Sequence, residues 1–346
     1  MGRQKDVNRN KKSFSGKTKR KNRVVRFWLA LCLFLLFLSL GGCRDGKFRE
    51  ESRTGFYFDT VVTLKLYGVK DETVFDGCFA ICEELERIFS RTREDSELYA
   101  VNHRTSDTVE VSDELAKLIE AGLSYYYVTD GAFDITVAPL SELWDFKNGE
   151  GKVPSGTALQ GALSRVDARK VKLEGRTLIF DSPDIMLELG AIVKGYAADR
   201  LKGYLKEQGV TAGTINLGGN VLTIGGKPDG TVWKVGLQKP FGDSGESVEI
   251  VEVKDQSVVS SGVYERFFRE DGRLYHHILD ARTGYPVENG LWQVTIRSEE
   301  SLTGDLLSTV CFLLGPEAGM AYVESLEGVE ASFINENLQI THSSGW

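Results

Sequence analysis

The stretch Gly213-Thr214-Ile215-Asn216-Leu217-Gly218-Gly219-Asn220-Val221-Leu222-Thr223-Ile224-Gly225-Gly226 reads as two short strands broken by Gly218-Gly219. Paired glycines at such a break let the backbone approach either a ligand or a neighbouring strand closely. Downstream the pattern stays strand-rich, with period-two segments at 232–237, 248–253, 264–268, 274–279 across the Asp271-Gly272 turn, and 291–297. Helical periods follow near 302–314 and 317–326, before a terminal hairpin around 335–337. Strands and helices mixed in this way, without regular alternation, predict an α+β fold with mixed or antiparallel sheets and packed helices, not a doubly wound sheet.

Upstream of that stretch, residues 60–67 alternate, with Val62, Leu64 and Leu66 on one face. Asp71 is placed to cap a helix whose apolar stripe is Val74, Phe75, Cys78, Cys82, Leu85 and Phe89. Ser112 opens a second long helix that stops before Gly131. Residues 131–139 have no clean period and read either as a functional loop or as a connection whose Phe133 fills the core. A surface loop is expected over 147–156 and a hairpin about Glu174-Gly175. Residues 186–199 then read as a strand feeding a helix through Gly190-Ala191, with Gly209 as the helix stop. The N-terminus of that helix offers unpaired N–H groups, and Lys194 adds positive charge, an arrangement that suits a phosphate. Neither a Walker loop nor a Gly-x-Gly-x-x-Gly fingerprint is present, so the common nucleotide-binding folds lose support.

Chemistry concentrates between His276 and Thr309. Adjacent residues of an extended chain face opposite ways, so of His276 and His277 one faces a site and the other does not. Asp305 and Thr309 stand four apart on a predicted helix and share a face. Two hard oxygens there suit a magnesium-like cation better than zinc, although a solvated helix face shows the same spacing.

The N-terminus has a different character. Eleven of the 42 Lys/Arg and one of the 50 Asp/Glu precede Cys43, and a fourteen-residue apolar run from Phe27 to Leu40 ends in Leu40-Gly41-Gly42-Cys43. The run is short of the roughly 20 residues that span a bilayer. A basic start, an apolar run and small residues before the break make a secretory signal, so residues 1–42 are expected to be a leader and 43–55 a tether. An uncleaved anchor is the alternative, and either way the folded part is expected outside the cytoplasm. Without the leader the chain carries 31 basic against 49 acidic residues, a net charge near −18, which disfavours nucleic acid as a partner. Beyond Cys43, the remaining cysteines Cys78, Cys82 and Cys311 make no disulfide framework and read as core, with a Cys78–Cys82 pair as the minor alternative.

Several segments, in order, are similar to the FAD:protein FMN transferases, the ApbE-like flavin transferases. They are Phe58-Asp59-Thr60-Val61-Val62, Asp95-Ser96-Glu97, Gly131-Ala132-Phe133-Asp134-Ile135-Thr136, Lys194-Gly195-Tyr196-Ala197-Ala198-Asp199, Asn216-Leu217-Gly218-Gly219, Ser261-Gly262-Val263-Tyr264-Glu265-Arg266, His277-Ile278-Leu279-Asp280-Ala281-Arg282-Thr283-Gly284, and Asp305 with Thr309. Leu40-Gly41-Gly42-Cys43 likewise resembles a bacterial lipobox, which implies lipidation of Cys43 and a membrane anchor on the extracytoplasmic face.

The family resemblance implies an ApbE-like, T-fold-related architecture over 56–346. It also implies a magnesium-dependent transfer of FMN from FAD to a Ser or Thr hydroxyl of acceptor redox proteins, with release of AMP. By position, Mg2+ is expected on the Ala191 carbonyl, Asp305 and Thr309. The flavin nucleotide is expected along Phe58, Ala132, Phe133, Asp134, Glu188, Lys194 and the strand at His276. His277 is implied as the base, with Asp280 assisting it or merely forming its turn. The acceptors implied are flavoprotein subunits of membrane redox complexes. Phe58 stands where Met is common, Thr92 where some members have Tyr, and Ala281 where Pro is frequent. Two other readings stand beside this one: a magnesium-dependent FAD pyrophosphatase, and a lipoprotein that binds flavin without chemistry.

Overall fold

Each apolar alternation expected over residues 60–67 ends fully inside the protein: Val62, Leu64 and Leu66 are each 0% exposed. Burial of such side chains contributes about 1.5–3 kcal/mol apiece, which fixes the register of the strand that carries them. In a computed structural model, residues 49–147, 151–243 and 245–346 are described. The leader and Cys43 lie outside them, as do residues 148–150 of the expected surface loop. Among the described residues no helix is long and apolar enough to cross a membrane.

The elements run β1 (Glu50–Tyr57), β2 (Thr60–Tyr67), α1 (Thr73–Phe89), α2 (Glu97–Asn102), β3 (Thr108–Glu110), α3 (Asp113–Val128), α4 (Ala138–Trp144) and α5 (Gly156–Leu163). After β4 (Val171–Glu174) and β5 (Thr177–Phe180) come α6 (Val193–Glu207), β6 (Gly213–Leu217), β7 (Asn220–Ile224), β8 (Trp233–Gln238), β9 (Ser247–Val253), β10 (Ser257–Gly262), β11 (Phe267–Glu270) and β12 (Arg273–His276). The chain closes with β13 (Leu291–Ser298), α7 (Ser301–Leu314), α8 (Pro316–Glu324), β14 (Glu330–Asn335) and β15 (Ile340–His342).

Eight strands form one antiparallel sheet in the order β1-β2-β6-β7-β10-β13-β14-β15. Helices α6 and α7 pack against each other and against its middle strands, so the architecture is α+β as expected. The glycine break in the opening stretch is a tight β6–β7 turn. Gly218 has φ +61° and a Cβ on it would stand 2.1 Å from Thr60 Oγ1, so the turn and the neighbouring strand both require glycine there.

Two expectations need correction, and one strand has no counterpart among them. Residues 50–55, read as tether, belong to strand β1, which pairs with β2 from Glu50 onward; the ladder to an already buried neighbour outweighs their polar composition. Residues 186–189 form no strand. Their backbone is clamped instead by Asn102, which both donates to the Leu187 carbonyl (2.9 Å) and accepts its N–H (2.7 Å), and by Ile135, whose carbonyl takes the Glu188 N–H at 2.7 Å. Strand β10, which the apolar pattern does not reveal, lies in the middle of the sheet between β7 and β13. Its Ser257, Ser260 and Ser261 bond Ser301, Thr295 and Ser308, so small hydroxyls serve where alternating hydrophobics would signal a strand.

The stripe of α1 is buried at all six expected positions. Asp71 Oδ1 accepts the Thr73 N–H at its start, 2.9 Å away. Cys78, Cys82 and Cys311 are free and buried, and burial pushes their thiols up to about 12, which makes them inert core groups.

Candidate active site

Helices α6 and α7 meet by exchanging caps. The N–H of Gly195, in the first turn of α6, donates to Asp305 Oδ2 at 2.8 Å. In return Asp199 of α6 accepts the N–H of Ser301 on one oxygen and that of Leu302 on the other, both at 2.8 Å. Each carboxylate satisfies N–H groups that a helix start leaves unpaired, and each meets the positive end of a helix dipole. The approach requires glycine: a Cβ on residue 195 would lie 2.3 Å from the Ser301 carbonyl oxygen and 2.7 Å from Asp305 Cβ. This contact draws together two motifs more than a hundred residues apart in the chain.

Asp305 is 4% exposed and forms no ion pair among the described residues. Burial raises its pKa, while Lys194 and the N–H of Gly195 act in the opposite direction. Thr309 Oγ1, one turn on, lies 3.2 Å from Ser261 Oγ at the end of β10. Ala191 is half-buried against the core four residues before Gly195. No cluster of three His, Cys, Asp or Glu side chains suited to a metal occurs among the described residues. A buried carboxylate, with a hydroxyl and a main-chain carbonyl as the other candidate donors, is a hard set of low charge. It fits a magnesium-like ion that draws its remaining ligands from an oxyanion.

The two histidines differ in their bonding, and the strand ends at the first of them. His276 is 4% exposed; its Nε2 lies 3.0 Å from the Val287 carbonyl oxygen and its Nδ1 accepts the Ile278 N–H at 3.3 Å. Both ring nitrogens are occupied, so this imidazole is held neutral, and burial pushes its pKa down to about 4. The His277 ring is uncommitted: Nδ1 is buried without a hydrogen-bond partner. Burial, reinforced by Arg266, His276 and Lys194, pushes its pKa down to about 3.

Lys194 is the common neighbour here. Its charge acts on His277, Asp305 and Glu265, and it forms no ion pair of its own among the described residues. Glu265 is solvent-exposed, and desolvation by the surrounding protein raises its pKa. Lys194 and Arg266 thus act on the free imidazole of His277, and Lys194 also on the buried carboxylate of Asp305, in a chain of net negative charge. Such a grouping of cations suits a phosphate-bearing ligand.

The remaining predicted site residues are held by contacts within the protein. Ala132, Phe133 and Asp134 are buried, at 2%, 6% and 6% exposure. Asp134 Oδ1 accepts the N–H and hydroxyl of Thr136, each at 2.7 Å, and Oδ2 accepts the Ala168 N–H at 2.9 Å, so this carboxylate ties the loop together. The Ala132 carbonyl takes the Ala281 N–H at 3.1 Å, which docks the 131–136 loop on the turn after His277. In that turn Asp280 accepts the Arg282 N–H at 2.9 Å and its Nε and Nη2 at 3.0 and 2.7 Å, an Asx turn closed by its own arginine. Glu188 holds Arg91 Nε at 2.6 Å, and Arg91 Nη1 reaches Glu142 at 2.5 Å. Phe58 sits at φ 54° in the β1–β2 turn, its N–H on Glu86 Oε1 at 2.8 Å.

Sequence reasoning overlooked Arg91, Glu265 and Arg266 as individual participants. The last two lie inside the segment Ser261 to Arg266, but adjacent charges after a strand look the same as a solvated turn. Arg91 sits in a polar turn with no periodic signal, and its partners are 51 and 97 residues away.

Comparison with known proteins identifies the family. The model of the ApbE family matches residues 58–333. A protein of Klebsiella pneumoniae (strain 342) named FAD:protein FMN transferase is 37% identical over 299 residues, covering 86% of this chain and 92% of that one. One of the same name from Treponema pallidum (strain Nichols) is 31% identical over 340 residues, covering 92% and 94%. Among solved structures, the ApbE protein from Thermotoga maritima superposes with a TM-score of 0.78 at 31% identity, over 86% of this chain and 98% of that one. The flavin transferase ApbE from Vibrio cholerae gives 0.76 at 29% identity, again over 86% and 98%. With the family model matching residues 58–333 and the fold shared over 86% of its length with these solved structures, the chain belongs to the ApbE family.

Proposed function

We propose that this protein transfers FMN from FAD to a Ser or Thr hydroxyl of an acceptor protein and releases AMP. The observation that carries the reading is the uncommitted imidazole of His277, set beside Lys194 and Arg266, while its neighbour His276 is fully bonded to backbone. The acceptor oxygen attacks the FMN phosphorus, its proton passes to His277, and the bond from that phosphorus to the AMP phosphate breaks. A hydroxyl needs such a positioned base near neutral pH. Because Nδ1 is sealed within the protein, Nε2 is the nitrogen assigned to take the proton. Lys194 and Arg266 orient the diphosphate and offset its charge. They also keep the imidazole deprotonated until an anion neutralises them, which raises its basicity on substrate binding. Asp305, Thr309 and the Ala191 carbonyl would hold Mg2+, which when bound supplies positive charge to the diphosphate oxygens.

Cys43 is proposed to carry a lipid that holds the domain at the extracytoplasmic membrane face, close to acceptor subunits of membrane redox complexes. The basic start, the apolar run from Phe27 to Leu40 and the Leu40-Gly41-Gly42-Cys43 ending support this placement.

The test is mass spectrometry of an acceptor incubated with the protein, FAD and Mg2+. An acceptor mass increased by one FMN, absent with His277→Ala although that variant still binds FAD, is the expected outcome. Undiminished transfer by His277→Ala would remove the proposed base. Rapid release of AMP and free FMN without acceptor would point to a pyrophosphatase instead.

A further inference from the structure

Asn220 opens β7 directly after the Gly218-Gly219 turn and is 2% exposed. Its Oδ1 accepts the hydroxyl of Ser301 at 2.7 Å, and Ser301 Oγ in turn accepts that of Ser257 at 3.0 Å. This relay from β10 through α7 orients the Asn220 amide, turning Nδ2 away from Ser301. Nδ2 is buried and has no hydrogen-bond partner. A buried amide N–H left unpaired costs about 1–3 kcal/mol, so its presence at a defined position calls for an explanation.

The neighbouring group supplies one. Ser301 and Asp305 stand four residues apart on α7 and share a face, so an amide bonded to the first lies beside the carboxylate of the second. Asn220 accordingly counts among the groups that work against burial on Asp305. Gly195 already fixes Asp305 Oδ2 from the other side.

We infer that Asn220 is a positioning residue for Asp305: its Nδ2, aimed by Ser301, closes on the carboxylate and fixes the direction in which an oxygen is presented to a divalent cation. The inference rests on the reading of Asp305 as a cation ligand. It deepens that reading by adding a β7 residue that would touch neither cation nor substrate. Outer groups that orient a metal ligand in this way typically contribute 10–100-fold to metal affinity.

The experiment is a titration of the full-length protein in detergent with Mn2+, followed by the loss of the free-ion signal in electron paramagnetic resonance. FAD binding is measured separately in EDTA. Asn220→Ala is expected to weaken Mn2+ binding by about 10-fold or more while FAD affinity in EDTA stays within about twofold. Ser301→Ala, which keeps every atom of Asn220 and removes only what aims it, is expected to shift Mn2+ binding in the same direction by less. It carries the test if Asn220→Ala does not fold. Wild-type Mn2+ affinity in both variants, with binding abolished in Asp305→Ala, overturns the role of Asn220 alone. Unchanged binding in Asp305→Ala overturns the cation site, and this inference with it.

Discussion

Gly195 and Asp305 are joined by a main-chain N–H on carboxylate contact of 2.8 Å, across a helix crossing so close that no side chain fits at residue 195. Gly195→Ala would force its Cβ to 2.3 Å from the Ser301 carbonyl oxygen, a backbone atom that cannot swing aside. The expected result is a loss of about 1–3 kcal/mol in urea unfolding, together with weakened divalent-cation binding as Asp305 moves. A variant with wild-type unfolding would show that the two helices are free to separate.

Acid should weaken the fold through His276. Its folded pKa, about 4, lies below the ordinary value of 6.5, so the unfolded chain binds the proton first. Its contribution is therefore complete above about 6.5 and is lost as pH falls toward about 4. Between pH 7 and pH 5 that loss is about 2 kcal/mol. His276→Gln should be less stable at pH 7 but show a flatter decline over this range. A decline as steep as that of wild type would assign the effect to other groups.

Arg91 is predicted to hold Glu188 in place, since its Nε and Nη1 bridge Glu188 and Glu142 at 2.6 and 2.5 Å. Arg91→Met keeps the length and apolar stem but removes both bonds. A cost of about 1–3 kcal/mol, reduced by partial solvent access, should appear in thermal unfolding, with weaker FAD binding by fluorescence quenching. FAD affinity equal to wild type would detach Glu188 from the nucleotide site.

Asp134 is expected to act on architecture rather than on chemistry. Its two oxygens accept three hydrogen bonds from Thr136 and Ala168, and burial raises its pKa against them. Asp134→Ala leaves these donors unpaired and should lower stability by about 2–4 kcal/mol. Its residual FMN transfer, measured well below the melting temperature, should exceed that of His277→Ala. Equal inactivity at full foldedness would give Asp134 a direct role.

How much of this was legible in the sequence depended on the kind of signal. Val62, Leu64 and Leu66, or the six-residue stripe of α1, announce themselves because burial acts on alternate or every third to fourth residue. Strand β10 does not, because its partners are hydroxyls of Thr295, Ser301 and Ser308, and a hydroxyl pairing leaves no hydrophobic period. Residues 186–189 looked like a strand from their apolar content, while their actual shape is set by Asn102, 85 residues earlier. Alternation along a strand predicts that the two histidines differ, but only the bonds from Val287 and Ile278 to the first ring identify which imidazole is free. Charges such as Glu265 acquire meaning only when the surrounding protein desolvates them.

The exchanged caps between α6 and α7 also constrain how the family can drift. Gly195 has no reason to be glycine unless Asp305 and the Ser301 carbonyl stand against it, and Asp199 has no reason to be acidic unless Ser301 and Leu302 begin a helix there. Changes at 195, 199 and 305 are therefore expected to be inherited together or not at all. A lineage whose two helices moved apart would be released at all three positions at once, and their joint change in its alignment would record the lost crossing.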